Sequence, residues 1–203
     1  LRFDVRDVSF AKAIEEGTSW IEGASGVVAA HSPEAAFEPM YSTWYSFHQN
    51  VTDRAIEEEC AEAAKLGMKA VIVDDGWQTD DNSRGYAYTG DWEISRSRFP
   101  DMVTHVKRVH DLGLKYMLWY GVPMVGIKSR NFERFSNKLL WVNYGKWYDY
   151  GCLDPRFPEV RRWLSDLYEQ AVREWDIDGL KLDFVDAIAF KGEDPAVKDG
   201  YAG

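Results

Sequence analysis

Residues 65–77 read KLGMKAVIVDDGW, and this stretch is the clearest indication of the architecture of the chain. Its glycine is typical of a helix end, and a short apolar run of the kind that forms a buried strand follows almost at once. The same pattern returns at residues 111–121, where DLGLK leads into YMLWYG. Helices that end on glycine and lead directly into buried strands indicate βα units with parallel strands.

Working outward from this stretch, we predict the remaining elements from periodicity and from residues typical of helix and strand ends. Strands are expected at 40–47 and from Gly179, in addition to 70–73 and 116–120. Helices are expected at 9–21, from Thr52 or Asp53 to Gly67, from Pro100 with Val103, Val106 and Val109 on its buried face, at 130–138 and from Pro158. The loops are predicted at 78–99, which includes a solvated basic run at 96–98, and at 141–150, which is aromatic.

This alternation places the chain in the α/β class, as a segment of a (β/α)8 TIM barrel with about the first four βα units and a preceding linker. Residues 1–38 are expected to form an N-terminal linker and helix, and residues 39–203 the N-terminal half of the catalytic barrel. The alternative is an open, doubly wound sheet, but no glycine-rich dinucleotide turn follows the first strand. The start at Leu1 without methionine suggests an excised or processed piece.

Composition excludes several kinds of partner. The 203 residues carry a formal net charge of -10, which argues against binding to nucleic acid. No apolar run is long enough to span a bilayer, so no membrane partner is expected. Cys60 and Cys152 are too few for a disulfide framework or a zinc site, and they are consistent with a reducing, cytoplasmic location.

The chemistry is predicted to centre on residues 179–184, GLKLDF. Strand side chains alternate, so Lys181 and Asp183 share one face while Leu180 and Leu182 point to the other, toward covering helices. A nearby cation lowers a carboxyl pKa, so Lys181 would keep Asp183 ionised, as a carboxylate nucleophile requires. The alternative is a buried ion pair that only fixes the strand register.

A second group of candidates closes the strand at 70–73. Asp74 and Asp75 can accept hydrogen bonds from neighbouring sugar hydroxyls, and the indole of Trp77 can stack on a sugar ring. Trp92 in the long loop could add another aromatic wall or simply fill the core. We also expect Trp44 and Tyr120 to take part in substrate binding.

The residue pattern is also compatible with other roles for these acids and for Lys181. Asp74, Asp75 and Asp183 could hold magnesium, although the Lys181 ammonium would repel a cation. The alternative for one of the two adjacent acids is a structural role as the cap of the following turn. Lys181 could in principle form a Schiff base. We expect no metal and no cofactor.

At this point the motifs resemble those of a known family. VIVDDGW at 71–77, Gly90-Asp91-Trp92, Phe99-Pro100 and LKLDF at 180–184 are similar, in order and spacing, to α-galactosidases of glycoside hydrolase family 36. The likeness covers about residues 40 to 190. It implies an eight-stranded barrel and a retaining hydrolase in which Asp183 is the nucleophile. It further implies that a galactose pocket is lined by Lys181, Asp74, Asp75 and Trp92.

The chain also departs from this family. Residues 119–125 read WYGVPMV, where family members often carry two glutamates, which leaves the rim of the pocket and the substrate open. Residues 41–47 resemble the first strand of raffinose synthases, which transfer galactose, although Tyr45 stands where those proteins usually carry aspartate. In the family the acid/base aspartate lies on a later strand, and Asp186, Glu193 and Asp194 are unconvincing substitutes.

The resulting expectation is a retaining exo-α-galactosidase acting on terminal α-galactosides of oligosaccharides. The alternatives are a raffinose-synthase-like galactosyl transferase and a non-catalytic sugar-binding or structural barrel fragment. The expected partners are the remaining half of the barrel, a second copy of the chain, or both. Without the acid/base residue, these 203 residues alone are not expected to be a competent hydrolase.

Overall fold

A computed structural model describes residue 3 and residues 5–26, 31–145 and 148–188 of the chain. The chain divides into two compact units, Leu1–Phe37 and Glu38–Gly203. The first unit contains helix α1 (Phe10–Ser25) and a 3-10 turn at Glu34–Phe37. Ser9 caps α1 by accepting a hydrogen bond from the Lys12 N–H, so the predicted helix is confirmed and is four residues longer at its C-terminal end. Within the linker and helix segment predicted at 1–38, residues 1, 2, 4 and 27–30 lie outside the described residues.

The second unit contains the remaining elements, which alternate between strand and helix over most of its length. They are β1 (Met40–Ser42), α2 (Trp44–Phe47), α3 (Asp53–Lys65), β2 (Ala70–Val73), α4 (Met102–Asp111), β3 (Lys115–Gly121), β4 (Met124–Gly126), α5 (Arg130–Arg134), β5 (Leu139–Val142), β6 (Tyr150–Leu153), α6 (Pro158–Trp175) and β7 (Gly179–Asp183).

Four of the strands form one parallel sheet in the order β1-β2-β3-β7. The order follows the chain without a reversal, and a doubly wound sheet requires such a reversal. The open doubly wound alternative is therefore wrong for the described residues. Because the strands are parallel, their carboxyl ends meet at one edge, and the side chains that follow them can converge there.

The two helix–glycine–strand repeats that the sequence pattern predicts are present. Thr52 caps α3 by accepting from the Ala55 N–H, and the helix ends just before Gly67, which has a φ of +86°. The strand at Ala70–Val73 then begins where predicted. The second repeat has the same arrangement, with α4 followed by Gly113 and β3. Cys60 is fully buried on α3, as expected of a small core residue.

Helix α4 differs in detail from the prediction. It begins at Met102 rather than at Pro100, because the Asp101 carboxylate accepts a hydrogen bond from the Thr104 N–H and caps the helix. Val106 and Val109 are buried as predicted, but Val103 is 53% exposed. The predicted buried face is therefore correct only for the last two of its three valines.

The first predicted strand is too long. Only Met40–Ser42 pair with β2, and residues 44–47 form the short helix α2. The turn between them is fixed by Thr43, which is fully buried and whose hydroxyl accepts a hydrogen bond from the Asp74 N–H at 2.9 Å. This contact with the next strand ends β1 and directs Trp44 over the edge of the sheet.

The segment between β3 and β7 was also incompletely predicted. The helix expected at 130–138 ends at Arg134. In the described part of the aromatic loop expected at 141–150, strand residues occur only at the two ends, where Trp141 and Val142 belong to β5 and Tyr150 to β6. Here β4, β6 and β5 form a separate antiparallel sheet of three strands. The predicted α6 and β7 are confirmed, except that Leu182 is 47% exposed. In the described part of the chain β7 is an edge strand, so the expected cover over Leu182 is not seen.

Candidate active site

The carboxyl ends of the parallel strands surround a small cavity of about 130 Å³. The short turn after β1, the Asp74-Asp75 pair after β2, the end of β3 and the end of β7 all contribute to it. Its lining consists of Trp44, Asp74, Asp75, Tyr86, Trp119, Lys181, Asp183 and Phe184.

An ammonium group bridges two carboxylates at the mouth of this cavity. Lys181 Nζ lies 2.7 Å from Asp74 Oδ2 and 3.2 Å from Asp183 Oδ2. Burial disfavours the charged lysine, but the hydrogen bonds and charges of these two carboxylates outweigh it and raise the pKa of Lys181. Lys181 is therefore held as a cation and is not suited to act as a neutral amine nucleophile.

Asp183 is the half-exposed carboxylate of the site. Trp119 Nε1 donates to Asp183 Oδ2 at 2.9 Å, and the Phe184 N–H donates to Oδ1 at 2.9 Å. Burial favours the neutral acid, yet these two donors and the Lys181 charge prevail and lower the pKa of Asp183. An ionised carboxylate with 38% of its side chain exposed can reach a bound molecule and attack it.

The backbone after Asp183 is strained. Phe184 has a φ of 59°, a left-handed conformation that is rare for a bulky residue. Such outliers persist only where surrounding contacts hold them, and they cluster at functional sites. Here the conformation directs the Phe184 N–H toward the Asp183 carboxylate and presents the Phe184 ring to the cavity.

Asp74 and Asp75 occupy different positions although they are neighbours. Asp74 is 2% exposed and accepts from Lys181 and from the Asp75 N–H. Asp75 is 1% exposed and accepts from two side-chain amides, Gln49 Nε2 at 2.7 Å and Gln78 Nε2 at 2.8 Å. Both acids thus have fixed orientations, and both line the cavity.

Burial raises the pKa of Asp75 to about 6. The Asp74 charge also raises this pKa, whereas the hydrogen bonds from Gln49 and Gln78 lower it. A raised carboxyl pKa near a nucleophile is typical of a general acid. However, both oxygens of Asp75 accept hydrogen bonds from amide donors, an arrangement that favours the carboxylate as an acceptor. Asp75 is therefore better suited to bind a hydroxyl than to deliver a proton.

Three predicted binding residues lie elsewhere. Trp77, Trp92 and Tyr120 are at most 3% exposed and pack together in the hydrophobic core. Trp77 also donates a hydrogen bond to the Trp119 carbonyl at 2.9 Å, which supports the strand that carries Trp119. The structure therefore places these three residues in the core and not in the lining of the cavity, and their predicted contact with substrate stays a prediction. In contrast, Trp44 lines the cavity as predicted.

The Gly90-Asp91-Trp92 motif has a visible structural role. Asp91 accepts hydrogen bonds from the N–H groups of Arg130 and Asn131 at the start of α5, both at 3.1 Å. The motif therefore attaches the long loop to α5, while Trp92 enters the core. The predicted solvated run at 96–98 is confirmed at Arg96 and Ser97, which are exposed. It is wrong at Arg98, which is 8% exposed and donates to backbone carbonyl groups, including that of Gly76.

Four residues of the site were missed by the sequence reasoning. Trp119, Tyr86, Phe184 and Gln49 line the cavity or bind the acids that do. Only Trp119 and Phe184 could have been predicted from the sequence, since each lies within a motif next to a strand end. Glu193 and Asp194 lie outside the described residues. Asp186 is exposed in a 3-10 turn after β7.

A larger groove of about 670 Å³ lies between residues 91–96, α5 and α6. Its acids are engaged at the rim: Asp91 and Glu93 contact Arg130, and Glu174 accepts from Gln170. It offers no strand-end carboxylate comparable with Asp183, so we assign the chemistry to the smaller cavity.

In the described part of the chain, no group of three His, Cys, Asp or Glu residues is arranged to hold a metal ion. There, too, no helix is long and apolar enough to cross a bilayer.

A parallel α/β sheet with ionised acids at its carboxyl edge is the architecture of many enzymes that act on small polar molecules, and comparison with known proteins specifies the class. The family model described as Melibiase matches residues 34–196, and the chain therefore belongs to the melibiase family.

Several relatives are α-galactosidases. Alpha-galactosidase 1 of Pediococcus pentosaceus is 30% identical over 143 residues, 68% of this chain and 17% of that protein. Alpha-galactosidase Mel36A of Lactobacillus acidophilus is 28% identical over 177 residues, 79% of this chain and 22% of that protein. The chain thus spans about a fifth of the length of these curated relatives.

Solved structures share the fold. The α-galactosidase of Thermus thermophilus, solved with p-nitrophenyl α-D-galactopyranoside, has a TM-score of 0.65 and 28% identity, and the match covers 81% of this chain and 33% of that one. The family 36 α-galactosidase AgaA of Geobacillus stearothermophilus, solved as a variant with raffinose, has a TM-score of 0.64 and 23% identity, over 71% and 21% of the two chains.

Proposed function

We propose that this chain supplies the nucleophile side of a retaining exo-α-galactosidase. The observation that carries the proposal is the set of contacts around Asp183: an indole donor, a backbone donor and the Lys181 ammonium all favour its ionised form. In the proposed mechanism Asp183 attacks the anomeric carbon while the glycosidic C–O bond breaks, and an acid/base carboxyl from another part of the barrel protonates the departing oxygen. Water, deprotonated by the same carboxyl, then hydrolyses the glycosyl-enzyme, which releases the sugar and free Asp183.

The remaining cavity residues are proposed to bind the sugar. Asp74 and Asp75 accept hydrogen bonds from hydroxyl groups, Lys181 donates to one of them, and Trp44 forms an aromatic wall. These groups all line one cavity of about 130 Å³ at the carboxyl ends of the strands, so a single sugar ring can contact them together.

We further propose that residues 39–203 form the N-terminal half of a (β/α)8 barrel. Four successive parallel strands in chain order support this proposal. The acid/base carboxylate would then come from another part of the barrel, since retaining enzymes need a second carboxyl about 5–5.5 Å from the nucleophile. The remaining half of the barrel or a second copy of the chain stays a proposed partner, and the cytoplasmic location also stays a prediction.

The decisive experiment is labelling of the full-length protein with a 2-deoxy-2-fluoro galactosyl reagent, followed by peptide mapping. We expect the label on Asp183. Asp183→Ala should lower turnover of p-nitrophenyl α-galactoside by at least the roughly 10⁴-fold that loss of a nucleophile costs, with partial recovery in azide as a galactosyl azide. Asp186→Asn is the matched control, because this acid is exposed near the same strand end, and it should retain activity. A label on Asp74 or Asp75 would contradict the assignment.

A product assay on the full-length protein distinguishes hydrolysis from transfer. With an aryl α-galactoside and sucrose together, free galactose is expected as the main product. Predominant transfer to sucrose would move the protein to the raffinose-synthase-like alternative. A chelator should leave turnover unchanged, whereas loss of activity that magnesium restores would favour a metal site at Asp74, Asp75 and Asp183.

A further inference from the structure

Gln49 connects a site acid to the long loop at 78–99. Its side chain is 1% exposed, and its Nε2 donates to Asp75 Oδ2 at 2.7 Å and to the Gly85 carbonyl at 3.1 Å. Its Oε1 accepts from the Arg84 N–H at 2.7 Å. Both ends of one amide are thus engaged, and they link Asp75 to consecutive residues of the loop.

The backbone of Gln49 is held as firmly as its side chain. Its carbonyl accepts a hydrogen bond from the Arg98 guanidinium. Gly76 packs so close that a Cβ at this position would lie 2.4 Å from the Gln49 carbonyl oxygen. Because main chain and side chain are both constrained, Gln49 cannot move without displacing Asp75 or the loop.

The next loop residue is Tyr86, which lines the cavity together with Asp75 and Asp183. Its ring packs edge-on against Phe184, with 5.5 Å between centroids, and against Tyr150 at 5.9 Å. Burial, followed by the charges of Asp75 and Asp183, raises the pKa of Tyr86. The phenol therefore stays protonated and keeps a proton to donate.

We propose that Gln49 is a positioning residue that fixes the Asp75 carboxylate and the Tyr86 phenol relative to each other, and that Tyr86 is a specificity-determining residue for the terminal sugar. A hydroxyl group both donates and accepts, so it matches an acceptor on one side and a donor on the other. Such a site selects a pyranose that carries this hydroxyl over its deoxy analogue. This inference rests on the proposed function.

Gln78 provides a matched control. Its Nε2 donates to the other oxygen of Asp75 at 2.8 Å, and its own Oε1 has no partner among the described residues. Gln78→Met therefore removes one amide donor to Asp75 without removing the link to Arg84 and Gly85. Gln49→Met removes a donor to Asp75 and that link together.

The kinetic test is a double-mutant cycle in the full-length protein with p-nitrophenyl α-galactoside. Tyr86→Phe should lower kcat/KM about 10–100-fold, as expected for one lost hydrogen bond in a substrate site. In the Gln49→Met background, Tyr86→Phe should lower kcat/KM by less than about 3-fold. In the Gln78→Met background, Tyr86→Phe should still lower kcat/KM by the same factor as in the native protein. If Gln49→Met does not fold, Gln49→Leu carries the same cycle, because leucine has no polar hydrogen and cannot donate to Asp75 or Gly85.

A second readout does not depend on activity. Arg84 is exposed and is a trypsin site, and the Gln49 amide holds its N–H. Cleavage after Arg84 should be faster in Gln49→Met than in the native protein and unchanged in Gln78→Met. Equal cleavage in all three, or additive kinetic effects, would overturn the inference. A native protein inactive on α-galactosides would refute the proposed function and with it the role of Tyr86, while cleavage would still decide whether Gln49 holds the loop.

Discussion

The indole Nε1 of Trp119 donates a hydrogen bond to Oδ2 of Asp183 at 2.9 Å, from the strand adjacent to the one that carries the acid. This same oxygen also faces Lys181 Nζ at 3.2 Å. One donor is neutral and rigid, and the other is a charge on a flexible chain. Trp119 is held in place by core packing, since it is 1% exposed. The geometry of Asp183 therefore depends on Trp119 more than on its charged neighbour.

The first prediction follows from this contact. Trp119→Phe removes a donor to the ionised form of Asp183, so the pKa of Asp183 should rise. A nucleophile must be deprotonated, and the acidic limb of the kcat/KM profile should therefore move to higher pH. The measurement is a pH profile of the full-length protein on an aryl α-galactoside. A lower rate with an unmoved acidic limb would mean that Trp119 acts only by packing.

The second prediction concerns the Lys181–Asp74 pair. Lys181→Met leaves the Asp74 carboxylate buried without its cation, which should lower the free energy of unfolding. Because about a third of the Lys181 side chain is exposed, we expect about 1–3 kcal/mol, below the cost for a fully buried pair. Urea unfolding provides the measurement.

The control for this prediction is the same substitution beside Asp74→Asn. Without the Asp74 charge, Lys181→Met should cost much less stability, because no buried carboxylate remains unpaired. Equal costs in both backgrounds would contradict a stabilising pair. They would indicate that Lys181 contributes through its contact with Asp183 or by the packing of its aliphatic chain.

The third prediction uses the raised pKa of Asp75. Burial raises it to about 6, above the ordinary value of 3.8, so the folded protein holds this proton more tightly than the unfolded chain. Stability from this group is therefore greatest at low pH and falls as the pH rises from about 4 to about 6. Loss of about 1–3 kcal/mol is expected over this window.

Asp75→Asn tests this prediction, because asparagine has no proton to lose. The variant should lack this part of the pH dependence, as measured by urea unfolding between pH 4 and 7. Its amide can be accommodated, because Gln78 Oε1 has no partner among the described residues and can accept from it after a flip. Asp186→Asn, on an exposed acid, should retain the native slope. A native slope in Asp75→Asn would show that folding does not raise the pKa of Asp75.

The sequence predicts the sheet better than the site. Ala70–Val73 and Gly179–Asp183 are predictable because a helix end or a glycine precedes a short apolar run, which is local information. The early end of β1 is not predictable in this way. It depends on the contact of Thr43 with Asp74, which is 31 residues further along the chain.

The site residues divide in the same manner. Lys181 and Asp183 share a strand face, so alternation predicts that they meet. Trp77 and Trp92 are predicted from their motifs to bind the sugar, but both pack in the hydrophobic core. Tryptophan serves in cores and in sugar sites alike, so only packing decides between the two uses. Gln49 gave no signal at all, because a lone amide has no spacing pattern and its partners lie 26 to 36 residues away.

The last prediction concerns the glycine after the two acids. Gly76 has a φ of +115°, and a Cβ there would lie 2.4 Å from the Gln49 carbonyl oxygen. Gly113 also has a positive φ, +81°, but a Cβ there would meet nothing within 4 Å. Alanine at either position carries the backbone strain of about 1–3 kcal/mol, whereas only Gly76→Ala adds a backbone clash. Gly76→Ala should therefore destabilise the protein clearly more than Gly113→Ala in urea unfolding. It should also speed trypsin cleavage after Arg84, since displacing Gln49 releases the loop. Equal destabilisation by the two variants would show that the Gln49 backbone yields freely at this point and does not fix the position of Asp75.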